Sequence, residues 1–269
     1  MIRKNPIEYD EVFIKEKVSK LRELQKKIQN NNNTAEDIIE ANNLAEFLIE
    51  ITKNTYNKMS EKYAKVRKYE ISDLDKRAWS KLLNYINRYT GDRNYKDVKL
   101  LDIGTGSGRD IKYASNLGFD VIGIDNSDAF ITMLEKLEQT QEIPKNSFRK
   151  ADMRNLPFDN NSFDVVRQQA SLVHLPMITK GYTADKAIEE NHRVLKENGL
   201  LYIFTKKGDG IQYVDTKEGL GGRIFQFYDE NTIKDLVERN GFKILEIMTE
   251  RENRNGTIVD LIIVIAQKN

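Results

Sequence analysis

The sequence predicts a doubly wound α/β domain, finished by an antiparallel strand pair and preceded by a helical segment. Three observations carry this. After residue 98, short apolar runs alternate with helical stretches. A glycine-rich turn joins the first of those runs to the helix that follows. Before residue 98, strand-like runs are absent and apolar residues recur at helical spacing.

The helical segment comes first. Asp10–Gln29 carries Val12, Phe13, Val18, Leu21, Leu24 and Ile28 close to a 3.6-residue period. Asn30 to Asn33 break it, being too polar and turn-prone to continue a helix. Thr34 with Asp37 resembles a capping box and opens a second helix, whose apolar face is Ile38, Leu44, Ala45, Leu48 and Ile51. Two more helical stretches follow, roughly Tyr56–Lys68 and Asp73–Tyr89, ending at Gly91. Residues 1–97 thus form a helical cap and residues 98–269 the α/β domain.

In that domain Val98–Ile103, Asp120–Ile124, Phe163–Gln168 and Leu200–Thr205 read as buried parallel strands. Ile111–Asn116, Ala129–Gln139 and Ala184–Leu195 read as the intervening helices. Lys243–Thr249 and Ile258–Gln267 form the closing pair, joined across a hairpin-type turn at Asn255-Gly256.

Composition narrows the chemistry. The chain has 269 residues, enough for a real core, with 43 Lys+Arg against 42 Asp+Glu. A net charge of +1 lacks the basic excess expected of a dedicated nucleic-acid or acidic-membrane binder. With no cysteine, disulfides, thiolate nucleophiles and Cys-built metal sites are excluded. His174 and His192 are the only histidines, too few for a multi-His metal centre. The first thirty residues lack the apolar stretch of a secretory signal, and no window reaches the ~18–20 apolar residues that span a bilayer. The expectation is a cytoplasmic, metal-independent protein.

The stretch Leu100-Leu101-Asp102-Ile103-Gly104-Thr105-Gly106-Ser107-Gly108-Arg109-Asp110 runs from strand through glycine-rich turn into helix. Glycines there let the backbone approach a ligand, and the helix N-terminus offers free N–H groups to an anion. The spacing is G-x-G-x-G, not the G-x-G-x-x-G of a dinucleotide site, and the phosphate-loop Lys-Ser/Thr pair is missing. A tight structural turn is the alternative. Asp125 ends the second strand, 17 residues beyond Gly108, where an acid can accept hydrogen bonds from both ribose hydroxyls of an adenosine group. Asp152 begins a third element, Ala151-Asp152-Met153-Arg154-Asn155-Leu156-Pro157-Phe158.

In order, LLDIGTGSGRD, VIGIDNS, ADMRNLPF, SFDVVRQQASLVHLP, HRVLKENGLLYIF and GFKILEI resemble a class I S-adenosylmethionine-dependent methyltransferase over about Lys99 to Gln267. The resemblance is to the bacterial small-molecule and peptide type, including enzymes of natural-product methylation. It implies a Rossmann-like seven-stranded sheet with an antiparallel last strand. It also implies S-adenosyl-L-methionine as cofactor. The methionine part would lie against Gly104, Thr105, Gly106 and Asp102; Asp125 would hold the ribose, with Asn126 beside the adenine. Asp152 would meet the adenine amino group, and the backbone N–H of Met153 a ring nitrogen. The carbonyl near Gln169 would receive the cofactor ammonium. Arg109 and Tyr63 are candidates for the cofactor carboxylate; a surface arginine and a core aromatic are the alternatives.

His174, just past the fourth strand, is the one conventional candidate base, or a ring packed near the cofactor. His192 reads as a structural side chain. Lys206 to Gly222, rich in glycine, reads as a mobile flap over the acceptor, leading into Arg223, Phe225, Phe227 and Tyr228; a solvated loop followed by core aromatics is the alternative. Tyr182, Arg223 and Tyr228 are the substrate-contact candidates. Asp159 or Asp185 could greet a cationic substrate, solvated surface acids being the alternative.

The resulting reading is methyl transfer by in-line displacement to an amine or hydroxyl of a small molecule or short peptide. Neither nucleic acid nor membrane is an expected partner, and the chain is read as a monomer or homodimer. The rival reading is a non-catalytic protein on the same fold that binds the cofactor or a partner. An NAD-dependent oxidoreductase suffers from the wrong glycine spacing.

Overall fold

The structure is a computed structural model and describes residues 9–67, 71–91, 93–216, 220–254 and 257–269. Asp10 caps helix α1 (Glu11–Gln29), its carboxylate accepting from Val12 N at 3.2 Å. The capping box forms as the sequence predicts. Thr34 N donates to the Asp37 carboxylate at 2.8 Å, and Asp37 N to Thr34 Oγ1 at 3.1 Å. It opens helix α2 (Ala35–Arg67). The separate helix expected from Tyr56 is part of α2, because residues 35–67 contain neither glycine nor proline to end a helix. Helix α3 (Asp73–Thr90), capped by Ser72, stops at Gly91, whose φ is +63°.

The strands are β1 (Lys99–Ile103), β2 (Asp120–Asp125), β3 (Phe148–Lys150), β4 (Phe163–Gln169), β5 (Leu195–Lys206), β6 (Ile211–Asp215), β7 (Gly222–Gln226), β8 (Phe242–Arg254) and β9 (Thr257–Lys268). Seven of them form one sheet in the order β3-β2-β1-β4-β5-β9-β8, with β9 antiparallel to both neighbours. The intervening helices are α4 (Arg109–Asn116), α5 (Asp128–Gln139), α6 (Thr183–Val194) and α7 (Glu230–Glu238). The expected turn at Asn255-Gly256 lies outside the described residues; β8 and β9 pair in register up to Arg254 and Thr257.

Alternation along the strands builds two cores. Leu101, Ile103, Val166 and Ile203 join α1 and α2 residues such as Leu21, Leu24 and Leu48. Leu100, Val165 and Tyr202 face the other way, onto Trp79, Leu82 and Ile86 of α3. The N-terminal helices therefore bury their apolar faces on both sides of the sheet.

The order reverses between β2 and β4 on either side of β1, which opens a crevice at the carboxyl ends of β1 and β4. Over that crevice, β6 and β7 make a two-stranded hairpin. The expected flap spans the turn of this hairpin, of which residues 217–219 lie outside the described residues, while its strands are tied to the cap. Thr55 Oγ1 donates to Gly222 O at 2.7 Å, Ile224 N to Thr52 Oγ1 at 3.0 Å, and Gln25 Nε2 to Gln226 Oε1 at 2.9 Å. Arg22 Nε adds a bond to Ile211 O at 3.2 Å. Side chains of α1 and α2 thus satisfy hairpin polar groups that a free flap would leave to water.

Candidate active site

The glycine turn leaves β1 with Gly104, Gly106 and Gly108 at φ of +74°, +55° and +78°. At Gly104 a Cβ would lie 2.4 Å from Ser171 Cβ, so the β1 and β4 loops touch only because this residue has no side chain. Gly104 N and Thr105 N both donate to Ile124 O at 2.9 Å. Asp125 ends β2 beside them. Its carboxylate accepts from Gly106 N and Ser127 N, each at 2.9 Å. Burial pushes the Asp125 carboxyl up to about 6, against the pull of the Ser127, Gly106 and Asn126 amides.

A cleft of about 750 Å³ opens at this point, walled by Tyr56 and Tyr63 of α2, Phe130 of α5, the glycine turn, Asp125 and Asn126, Met153, and Gln169 to Leu175. A second lobe of about 710 Å³ shares Tyr63, Gly104, Gly106 and Gln169 and adds Asp102, Thr105, Arg109 and Lys206. Helix α2 roofs the first lobe and is tied down by Asn57, whose Oδ1 accepts from Ser127 Oγ at 2.7 Å and Ala129 N at 3.3 Å.

These residues fit an adenosine-bearing amino-acid cofactor. A Cβ at Gly106 would project between Tyr63 and Phe130, at 3.9 Å from each, which is space a ligand can occupy. Ser171 Oγ on the cleft wall is buried with no hydrogen-bond partner among the described residues. An acid for ribose hydroxyls and apolar walls for a purine ring stand on either side of that space.

Beneath the second lobe runs a buried charge network. Arg167 of β4 is 1% exposed; its guanidinium bonds Asp102 at 2.8 Å, reaches Asp110 at 3.0 Å and stacks 4.5 Å from the Trp79 ring. Burial holds the Asp102 carboxyl above the usual range despite Arg167. For Asp110 burial is outweighed by Arg167 and Arg109, which hold it below. Arg109 binds Asp75 at 2.9 Å and Asp110 at 3.0 Å, and Gln169 Nε2 donates to Asp75 at 2.9 Å.

The His174 ring lies at the wall of the first lobe. Its Nδ1 stands 2.8 Å from Ile224 O and its Nε2 2.8 Å from the Tyr56 hydroxyl. Arg223 Nη1 donates to the same hydroxyl at 3.1 Å. Desolvation lowers the His174 pKa to about 3, offset by the Ile224 hydrogen bond and reinforced by the charges of Arg223 and Lys206. Desolvation likewise pushes the Tyr56 phenol up to about 12.

Of the residues expected at the site, Gly104, Gly106, Asp125, Asn126, Met153, Gln169, Tyr63 and His174 wall one cleft. Asp102, Thr105 and Arg109 line its second lobe, with Arg109 turned to Asp75 and Asp110 instead of standing as a surface arginine. The Asp152 carboxylate is gripped by Arg154, which also meets Glu46 of α2. Asp152 lines a separate opening, next to Asn126 and Lys53, and not the first lobe.

Three expectations are corrected. Tyr228 is 0% exposed in the hydrophobic core, beyond the reach of a substrate. Tyr182, at the N-cap of α6, is 47% exposed and lines no cleft among the described residues. Asp185 is buried against Arg239 and Asn240, so it greets no cation. Sequence reasoning missed Tyr56, Ser171 and Lys206. Tyr56 lies seven residues, about two helical turns, before Tyr63 on the same face of α2.

Comparison with known proteins agrees with this geometry. Residues 101–203 match the family model described as a methyltransferase domain. A sterol 24-C-methyltransferase of Kluyveromyces lactis is 29% identical over 157 residues, 55% of this chain and 41% of that protein. A ubiquinone biosynthesis O-methyltransferase of Pelagibacter ubique is 32% identical over 116 residues, 43% of this chain and 45% of that protein. The chain thus matches less than half the length of these relatives. Among solved structures, the Burkholderia thailandensis 1,6-didemethyltoxoflavin-N1-methyltransferase, with 1,6-didemethyltoxoflavin and S-adenosylhomocysteine bound, superposes with a TM-score of 0.60 at 17% identity, over 84% of this chain and 90% of that one.

Proposed function

We propose that the chain is a class I S-adenosylmethionine-dependent methyltransferase that methylates an amine or hydroxyl of a small molecule or short peptide; the match of residues 101–203 to a methyltransferase domain supports this. The observation that carries the reading is Asp125, a half-buried carboxylate at the end of β2 that faces the same cleft as Gly104 and Gly106.

Asp125 would hold the ribose, with Asn126 and Met153 at the adenine and the glycine turn and Gln169 along the amino-acid part. Tyr63, over Gly106, closes that end. Arg109, already compensated by Asp75 and Asp110, braces the turn, and Asp102 does so through Arg167. When bound, S-adenosylmethionine supplies a methyl group made electrophilic by its sulfonium.

What remains for the protein is to orient the acceptor and exclude water, and most of the rate gain comes from that positioning. Helix α2 and the β6–β7 hairpin, residues of the 1–97 cap and of the expected flap, narrow the way in, which favours a small acceptor over nucleic acid. His174 Nε2 is occupied by the Tyr56 hydroxyl, so His174 serves as a positioning residue and Tyr56 presents the polar atom to the acceptor. Neither group changes charge near neutral pH, given values of about 3 and about 12. That suits a nucleophile needing no strong base: an amine arriving neutral, or an acidic hydroxyl.

The test is a thermal-shift comparison of S-adenosylmethionine, S-adenosylhomocysteine and NAD, followed by mass spectrometry of amine and hydroxyl compounds for the gain of one CH2. The reading expects a shift with the first two and a methylated product. A shift with NAD alone overturns it.

A further inference from the structure

We infer that the acceptor carries an oxyanion, a carboxylate or a phosphate, held by Arg223 and Lys206 beside the atom that takes the methyl group; this rests on the methyltransferase reading above. Alternate residues of β7 share one face, and here they are Arg223 and Phe225, with Phe227 just past the strand 6.4 Å from Phe225. Arg223 and Phe225 pack against two residues of the cleft wall, Tyr56 and His174. Phe225 packs 4.9 Å from the His174 ring, and Arg223 reaches the Tyr56 hydroxyl.

Two cations straddle the Phe225 ring. The Arg223 guanidinium lies 5.3 Å from its centroid and 5.2 Å from that of Tyr56. Lys206 Nζ lies 3.7 Å from Phe225 and 5.7 Å from Phe227, and Lys206 lines the second lobe of the cleft. Arg223 meets no carboxylate among the described residues, and its Nε is buried with no hydrogen-bond partner there. A buried guanidinium N–H without an acceptor is costly, and a carboxylate or phosphate satisfies Nε and a terminal N–H together.

The acids that line the cleft are committed elsewhere. Asp75, Asp102 and Asp110 bind Arg109 and Arg167, and Asp125 accepts backbone amides. Arg223 stands behind Tyr56 of the first lobe, on its hydroxyl, and Lys206 lines the second lobe. Cations and aromatic rings thus border the cleft together, the complement of a planar anion.

The experiment titrates benzoate, phenyl phosphate, benzamide and benzylamine into protein saturated with S-adenosylhomocysteine. Benzoate or phenyl phosphate is expected to bind at least tenfold more tightly than benzamide, the stronger of the two identifying carboxylate or phosphate. Added salt weakens the anion but not the amide. Arg223→Gln should abolish the preference while S-adenosylhomocysteine affinity stays at the wild-type level, and Arg223→Lys should keep part of it. Should Arg223→Gln not fold, Lys206→Gln serves, with the preference reduced. Equal or tighter binding of benzamide or benzylamine, no binding of any probe, or a preference surviving Arg223→Gln overturns the inference. If the wild type does not bind S-adenosylhomocysteine, the methyltransferase reading fails by itself, and the anion preference is then read on the unloaded protein.

Discussion

The Tyr56 hydroxyl donates to Nε2 of His174 across 2.8 Å, and the other ring nitrogen fixes that direction. Ile224 O, 2.8 Å from Nδ1, can only accept, so Nδ1 carries the proton and Nε2 the lone pair. One helix of the cap and the loop after β4 are thereby joined at the acceptor side. Tyr56→Phe and His174→Ala should each lower turnover roughly tenfold or more. Because they break one hydrogen-bonded unit, the double variant should lose little beyond the worse single one. A double-mutant cycle measures this, with a coupling of about 1 kcal/mol or more expected. Strictly additive losses would show that the two side chains act separately.

The His174 ring also sets an acid limit on stability. The unfolded chain takes up this proton near pH 6.5 and the folded protein only at about 3. Between those values the unfolded state binds more protons, so stability falls as pH falls. The contribution is fully present above pH 6.5, and its loss amounts to roughly a few kcal/mol. Chemical denaturation from pH 7 to 4 checks it: His174→Gln should flatten the slope.

Asp125 has the opposite sign. Its carboxyl titrates near 3.8 unfolded and at about 6 folded, so its stabilising share is present below 3.8 and lost as pH rises through 6. Cofactor binding needs the carboxylate as acceptor. S-adenosylhomocysteine affinity should therefore weaken below pH 6, and Asp125→Asn should remove that dependence along with most of the affinity.

Arg167 holds two buried acids at once. Arg167→Met leaves the buried Asp102 without its cation and Asp110 with Arg109 alone, and should destabilise the fold by about 3–5 kcal/mol. Restoring balance with Asp102→Asn in the same chain should recover part of the loss in a denaturant titration.

Much of this candidate site is legible in the sequence because the cleft-lining residues hang on local patterns. The glycine turn follows a strand of apolar residues, and Asp125 ends the next one, so both are placed by counting. The doubly wound class also follows from short apolar runs alternating with amphipathic helices, whereas the short edge strand β3 carries too few apolar residues to be read that way. Contacts made across the chain are less legible. Nothing near Tyr56 in sequence points to His174, which lies 118 residues away. Tyr228 looks like the end of an aromatic acceptor wall, yet it turns into the core while Arg223 and Phe225 share one face of β7. The run of glycines from Gly208 to Gly222 suggests a loose segment, and the bonds that tie the described strands of the hairpin down come from Arg22, Gln25, Thr52 and Thr55, all in the cap.

Whether Asp125 holds the cofactor is decided by calorimetric titration of S-adenosylhomocysteine into the wild type and Asp125→Ala. One saturable site is expected in the wild type, with a loss of a few kcal/mol of binding free energy in the variant, the scale of hydrogen bonds to a charged group. Unchanged affinity in Asp125→Ala, with its fold verified by circular dichroism, would show that Asp125 does not hold the cofactor.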